Sequence, residues 1–150
     1  MRSTSLIKRC FLVFILTSIS CVGAAADETH ILTITVTGAK PNIGQAVLTL
    51  FTSSDNCLKQ PAVSEAKLIN NEGGAVFQLG QLKAGVYAVS IYYDENGDGK
   101  LNTGMFGIPK ELVGFSNNVK GVFGPPSFKK TSFMHSDSNR LNIRLGKAKD

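Results

Sequence analysis

Alternation with a period of two runs through most of this chain. In "ILTITVT" Leu32, Ile34 and Val36 take one face, and Thr33, Thr35 and Thr37 the other. "QAVLTLF" sets Ala46, Leu48 and Leu50 together, and "AVFQL" sets Ala75, Phe77 and Leu79 together. "VYAVSIYY" aligns Tyr87, Val89, Ile91 and Tyr93, and "RLNIRL" aligns Leu141, Ile143 and Leu145. A strand points successive side chains to opposite faces, so this pattern predicts half-buried β-strands. The separators "NNEGG" at 70–74, "LKAG" at 82–85 and "NGDG" at 96–99 are turn chemistry. No stretch carries a 3.6-residue apolar stripe over three turns, although "VSEAKLI", Val63 to Ile69, reads as either a short helix or a strand. The expected class is all-β: a single antiparallel β-sandwich over residues 27–150.

The first 26 residues do not share that rhythm. Arg2, Lys8 and Arg9 precede the apolar run "CFLVFIL" and the small residues Ala24, Ala25 and Ala26. A basic start, a short apolar stretch and an A-x-A site describe a secretory signal peptide, with cleavage after Ala26. The apolar stretch is shorter than the ~20 residues a membrane-spanning helix needs. A lipoprotein reading would acylate Cys21, but Ser18 stands where such signals carry Leu, so it is the weaker one. The expected destination is the periplasm or the extracellular space, with no transmembrane segment in the mature chain.

Removing the leader changes the charge. The chain carries 16 Lys and Arg against 11 Asp and Glu, a formal net charge of +5. Arg2, Lys8 and Arg9 leave with residues 1–26, and the balance becomes 13 against 11, or +2. The longest basic run left is Lys129–Lys130, so there is no nucleic-acid footprint. Cys10 and Cys21 also leave, and Cys57 alone cannot form an intrachain disulfide. It reads as a small, partly buried apolar residue; the alternative is a reactive thiol or an intermolecular partner.

The segment from Asn102 to Phe133 departs from alternation. It is rich in Gly and Pro, and it interleaves Phe106, Phe115, Phe123, Phe128 and Phe133. Irregular stretches of this length in a compact domain are often functional. The phenylalanines are expected to pin the loops onto the sandwich; the functional alternative is an aromatic-lined binding surface. "GFSNN" presents Ser116, Asn117 and Asn118, which suit recognition of a sugar or peptide backbone and equally suit turns that satisfy loop amides; the turn reading is preferred.

Asp94, Asn96, Asp98 and Gly99 match the D-x-[DN]-x-[DN]-G spacing of a calcium loop. Such a loop presents every second side-chain oxygen to the ion, and its glycine makes the sharp turn. The backbone carbonyl of Lys100 and the side chain of Asn102 would continue the set. Met105 stands at the twelfth position, where a bidentate Glu is wanted, and Glu111 is the candidate substitute. The candidate metal ligands are therefore Asp94, Asn96, Asp98, Lys100, Asn102 and Glu111, with calcium as the ion. With so few carboxylates the expected affinity is weak, ~10⁻⁴ to 10⁻³ M. Against this stands a plain hairpin turn, since Asn96–Gly97 and Asp98–Gly99 are both favoured turn pairs.

Catalytic residues are not expected. His30 lies near the free end, and His135 in "MHSDS" reads as part of an exposed turn. No H-x-x-x-H or C-x-x-C pair, G-x-S-x-G elbow or phosphate-binding glycine loop is present.

The stretch "GVYAVSIYYDENGDGKLNTGMFGIPKELVGFSNNVKGVFGPPSF" resembles the bacterial family of uncharacterised exported proteins named for the DUF2141 domain. The matching residues are Gly85, Tyr87, Ala88, Asp94 to Leu101, Phe106 to Pro109, Glu111, Gly114 to Asn118 and Gly124 to Phe128. The family usually carries Asp where this chain has Asn102, which removes one carboxylate from the candidate site. The resemblance implies a small exported β-sandwich and no activity. "LKAGVYAVSI" also looks like transthyretin-like and Ig-like sandwiches, an analogy of fold alone. The functional expectation is a non-enzymatic module that binds calcium or a protein or saccharide partner through the 94–118 loops. The alternatives are a periplasmic hydrolase using Asp94, Asp98 or Glu111 as acid or base, and a structural envelope component.

Overall fold

A computed structural model describes residues 28–121 and 124–148. The leader expected over residues 1–26, with Cys10 and Cys21, lies outside the described residues, as does Phe123. Among the described residues eight strands form, and all but the two three-residue ones fall on segments read as strand, or as strand or helix, from the sequence. The eight are β1 (Thr29–Thr37), β2 (Gln45–Phe51), β3 (Val63–Leu68), β4 (Gly74–Lys83), β5 (Gly85–Asp94), β6 (Val113–Phe115), β7 (Phe133–His135) and β8 (Asn139–Arg144). "VSEAKL" is thus a strand, with burial alternating along it.

One sheet has the order β4-β1-β8, and the other the order β3-β2-β5-β6, with β7 also paired to β5. The inward faces are those read from sequence. Leu32, Ile34, Val36, Ala46, Leu48, Leu50 and Phe77 are wholly buried, and Ala75, Leu79, Val89, Ile91, Tyr93, Ile143 and Leu145 nearly so. These residues share one apolar cluster between the sheets. Register explains the agreement: a slip of one residue would turn every such side chain to solvent. The all-β sandwich is therefore the observed class. One pairing is not antiparallel. β8 runs parallel to β1, Leu32 facing Asn139 through Thr37 facing Arg144. Parallel neighbours need a crossover, and here β7 lies on the other sheet just before β8 crosses to β1.

The two sheets approach closely at Gly114 on β6. A Cβ there would lie 2.7 Å from Ile143 Cγ2 and 3.3 Å from the Arg144 carbonyl oxygen. The glycine is required by proximity, not by its backbone angles. The edges are also managed. Lys67 on β3 donates to the Val76 carbonyl on β4 at 2.9 Å, and its ammonium lies 5.5 Å from the Phe77 ring centroid. A lysine across two open edges blocks pairing with another chain.

Two expectations are corrected. His135 is not in an exposed turn; it ends β7, pairs with Gly85 of β5 and is fully buried. Sequence neighbours Ser136 and Asp137 are polar and exposed, which hid a strand of three residues. The stretch from Asn102 to Phe133 is not structureless either. It holds a 3₁₀ turn at Met105–Gly107, β6, a second 3₁₀ turn at Ser116–Asn118 and a one-turn helix α1 (Phe128–Thr131).

Replacing Gly114 by Ala is expected to cost about 1–3 kcal/mol, the usual range for an overpacked core. Equilibrium denaturation checks it; an unchanged midpoint would show that the sheets can part.

Candidate functional site

Asp94 is the last residue of β5, and β6 begins at Val113. The chain between them makes one long excursion at one end of the sandwich. Register sets its root. Gln45, the first residue of β2, stands opposite Asp94, and its side-chain amide donates to Asp94 Oδ2 at 2.8 Å. Gly44 lies against this junction with φ +67°. A Cβ there would sit 2.3 Å from the Asp94 carbonyl oxygen, so only glycine fits.

The Asp94 carboxylate organises the loop. Oδ1 accepts the backbone N–H of Gly97 at 2.7 Å and of Asp98 at 3.1 Å, while Oδ2 accepts that of Gly99 at 2.9 Å. With Gln45 the count is four donors on two oxygens, the full capacity of a carboxylate. Asp94 is wholly buried. Burial pushes its carboxyl up, but the hydrogen bonds from Gln45, Gly99, Gly97 and Asp98 outweigh it, and the net shift is below the ordinary aspartate value. Tyr92 adds an outer strut, its hydroxyl donating to the Gly99 carbonyl at 3.0 Å.

Asp98 is the second centre, and it is exposed. Its Oδ2 accepts the side-chain amides of Asn102 at 2.9 Å and Asn96 at 3.0 Å, and its Oδ1 accepts the Lys100 N–H at 2.9 Å. Those bonds hold its pKa below the usual range, Asn102 contributing most. Asn102 reaches both ways: its backbone N–H donates to Glu111 Oε2 at 2.9 Å. The six candidate ligands thus fall into two groups. Asp98, Asn96, Lys100, Asn102 and Glu111 form one hydrogen-bonded chain, and Asp94 lies beneath it with its oxygens occupied by protein donors. Among the described residues, no group of three or more His, Cys, Asp or Glu is placed to hold a metal ion.

Beyond Asn102 a small hairpin projects. Thr103 bridges Pro109, Gly104 N–H donates to the Ile108 carbonyl at 2.7 Å, and Lys110 N–H donates to the Asn102 carbonyl at 2.9 Å. Its tip is Met105–Phe106–Gly107–Ile108. Phe106 and Gly107 have φ of +61° and +70°. Consecutive positive φ is the pattern of a type I′ hairpin turn, whose first central position favours Asn or Gly. Phe106 is 92% exposed and Met105 79% exposed. The expectation that the phenylalanines pin loops to the core therefore fails at Phe106, which points outward. It holds at Phe133, packed against the core cluster.

"GFSNN" serves the scaffold. Ser116 is buried; its hydroxyl accepts the Val89 N–H at 3.0 Å and donates to the Thr131 carbonyl. Asn117 donates to the carbonyls of Lys130 and Ser132, and Asn118 both donates to the Asn142 carbonyl and accepts the Arg144 N–H. The turn reading expects these side chains to satisfy amides of their own loop; instead they reach β5, β8 and the α1 segment, with separations of 13 to 27 residues. The Gln45 contact was missed from sequence. Register would have found it, since burying Ala46, Leu48 and Leu50 against Val89, Ile91 and Tyr93 sets Gln45 opposite Asp94.

The family described as "Uncharacterized protein conserved in bacteria (DUF2141)" matches residues 34–142. The chain belongs to this family. The DUF2141 match takes in the whole excursion from β5 to β6, together with the staples at 116–118. Neither a curated protein nor a solved structure matches the chain at a significant level.

The Asp94 carboxyl has a lowered folded-state pKa, so its stabilisation is complete above the unfolded value near 3.8 and is lost as pH falls through the folded value. In that window the unfolded chain binds more protons, and stability should rise with pH. Asp94→Asn should flatten this rise below about pH 4, read as the slope of unfolding free energy against pH. At neutral pH, Asp94→Ala should cost on the order of 2–3 kcal/mol, since charged hydrogen bonds to a buried carboxylate are lost.

Proposed function

We propose that this protein is an exported, non-catalytic binding module that docks a partner through the loops between Asp94 and Asn118. The observation that carries the reading is the tip of the 102–110 hairpin. A bulky residue at positive φ costs about 1–2 kcal/mol, and leaving a phenylalanine in water forfeits roughly 1.5–3 kcal/mol of burial. Phe106 bears both costs, and neither contributes to folding. Strain of this kind is kept where it serves a site. The hairpin itself is rigidly rooted, through Asn102 on Asp98 and Glu111 and through the amides on Asp94. A fixed apolar point on a clamped stalk suits insertion into a partner's pocket.

The surroundings favour binding over catalysis. The depression beside the loop, about 440 Å³, is lined by Asn42, Gly44, Gln45, Leu68, Ile69 and Gly97, none of which titrates. Asp94 and Asp98 are both held in the ionised form, which suits neither to be a general acid. Among the described residues no helix is long and apolar enough to cross a membrane. Export rests on the leader-like first 26 residues.

Phe106→Asn separates docking from folding. It places the favoured residue in the turn, so stability should rise by up to about 1 kcal/mol, while docking is lost. A benzophenone amino acid at 106 in the expressed full chain should give a discrete crosslinked species after export, and the same probe at Lys59 none. Crosslinking that is alike at both positions, or absent at both, sinks the proposal.

A second reading places a calcium-type cation at Asp98 and Glu111. What favours it is Asn102, which ties those two carboxylates to one residue; the Lys100 carbonyl lies on the same loop. Calcium should then raise the melting temperature saturably in the ~10⁻⁴ to 10⁻³ M range, and Asp98→Asn should abolish the rise. Asp94→Ala would lower stability equally with calcium and with chelator, because its oxygens serve amides. A melting temperature indifferent to calcium discards this reading and leaves the docking proposal standing.

A further inference from the structure

The Phe106 tip needs a cavity to enter, and the chain carries one at the same end of the molecule. The depression of about 440 Å³ has Gly97 of the Asp94 loop in its wall. Leu68 and Ile69 give it an apolar side, and Asn42 and Gln45 a neutral polar one. Its size is that of sites which hold small apolar groups. Among the described residues the three most exposed large apolar side chains are Phe106 at 92%, Leu68 at 80% and Met105 at 79%. Two are the knob, and the third stands at the hole.

The surface beside the depression is uncharged. Ala66, Val47, Tyr92 and Val113 form one cross-strand row over β3, β2, β5 and β6. They face outward, because their strand neighbours Ala46, Leu48, Ile91 and Tyr93 lie in the core. The next row, Ser64, Thr49, Ser90 and Phe115, carries no charge either. Tyr92 joins this face to the loop through the Gly99 carbonyl.

We propose that the docking partner is a second copy of this chain, the two related by a two-fold axis with each Phe106 in the other's depression. The inference rests on the docking reading above. In a two-fold contact patch i meets j and j meets i, so a knob and a hole on one end complement themselves. A charged face would meet its own charge in such a pair, and this face has none to oppose. The charges at its margin are mixed. Lys110 is the one ionisable residue of the 102–110 hairpin, and Glu72 lies in the turn whose Asn70 carbonyl holds Asn42. Hairpin and rim therefore carry opposite signs. Reciprocal insertion also closes the assembly at two, where one-way insertion would grow a filament. Pairing of sheet edges is not the mode, since Lys67 guards β3. Two phenylalanines bury about 150–250 Å² each, and the surfaces that receive them as much again. Met105, Leu68 and the uncharged rows bring the total to about the 1,000 Å² of the smallest specific interfaces, so the dimer is weak and reversible.

Sedimentation of the exported full chain should show a monomer–dimer equilibrium that moves with concentration. Leu68→Lys changes an exposed residue on an edge strand and should fold as the parent does. It and Phe106→Asn should each weaken dimerisation at least about tenfold. Mixing the two variants should recover a heterodimer, because one chain keeps its tip and the other its depression. The benzophenone probe at 106 should give a species of twice the chain's mass, joined near Leu68 and Ile69. A crosslink to a different protein, with the chain monomeric throughout, would overturn the dimer and keep the docking reading. No crosslink at all would sink both. A dimer that neither variant weakens, or no recovery on mixing, would also overturn the reciprocal contact.

Discussion

Four N–H groups converge on the Asp94 carboxylate. Three come from the loop that follows it, and one comes from Gln45 on the neighbouring strand. This joins two scales of structure. The strand pairing of β2 with β5 sets where the carboxylate sits, and the carboxylate then sets the path of the chain beyond. Without it the amides of the exposed residues 97–99 would turn to water and the loop would lose its fixed path. In water each bond is worth little net, but a charged acceptor with every lone pair used is the strong case. Asp98 repeats the device one layer out, on side-chain amides of Asn96 and Asn102. The Asn102 N–H then passes the constraint to Glu111 and to the base of the hairpin.

The sandwich and the excursion are built by different physics. Between the sheets, the fold rests on apolar burial, which is tolerant of detail and indifferent to direction. At the loop end it rests on directed hydrogen bonds from few residues. The staples at Ser116, Asn117 and Asn118 belong to the second kind. They tie β5, α1 and β8 to the turn that follows β6. Met105 and Phe106 belong to neither. They stand exposed at the hairpin tip and support nothing beneath them.

The sheets were legible because alternation is a local signal. Every inward residue read from "ILTITVT", "QAVLTLF" and "VYAVSIYY" is buried. The parallel pairing of β8 with β1 was not, since a strand carries no mark of the direction of its neighbour. His135 was misread for a related reason. Three residues are too few to show a period, and its polar sequence neighbours suggested a turn. The Asp94 loop was legible as a motif and ambiguous as chemistry. A carboxylate that gathers amides and one that gathers a cation need the same spacing of Asp, Asn and Gly, because both draw a short chain around a negative charge. The donors decide between them, and Gln45 is forty-nine residues away in sequence.

Phe106 carries the least ambiguous message because its cost has no local return. A type I′ turn with Phe–Gly at its centre could be relieved by a single change to Asn–Gly, the pair that already occurs at Asn96–Gly97 in the same loop. The easier residue is thus present ten positions away but is not used at the tip. Burial against the sandwich would have been a second escape, and Phe133 takes it. Phe106 takes neither way out, and that unreturned cost is the physical ground on which the docking proposal rests.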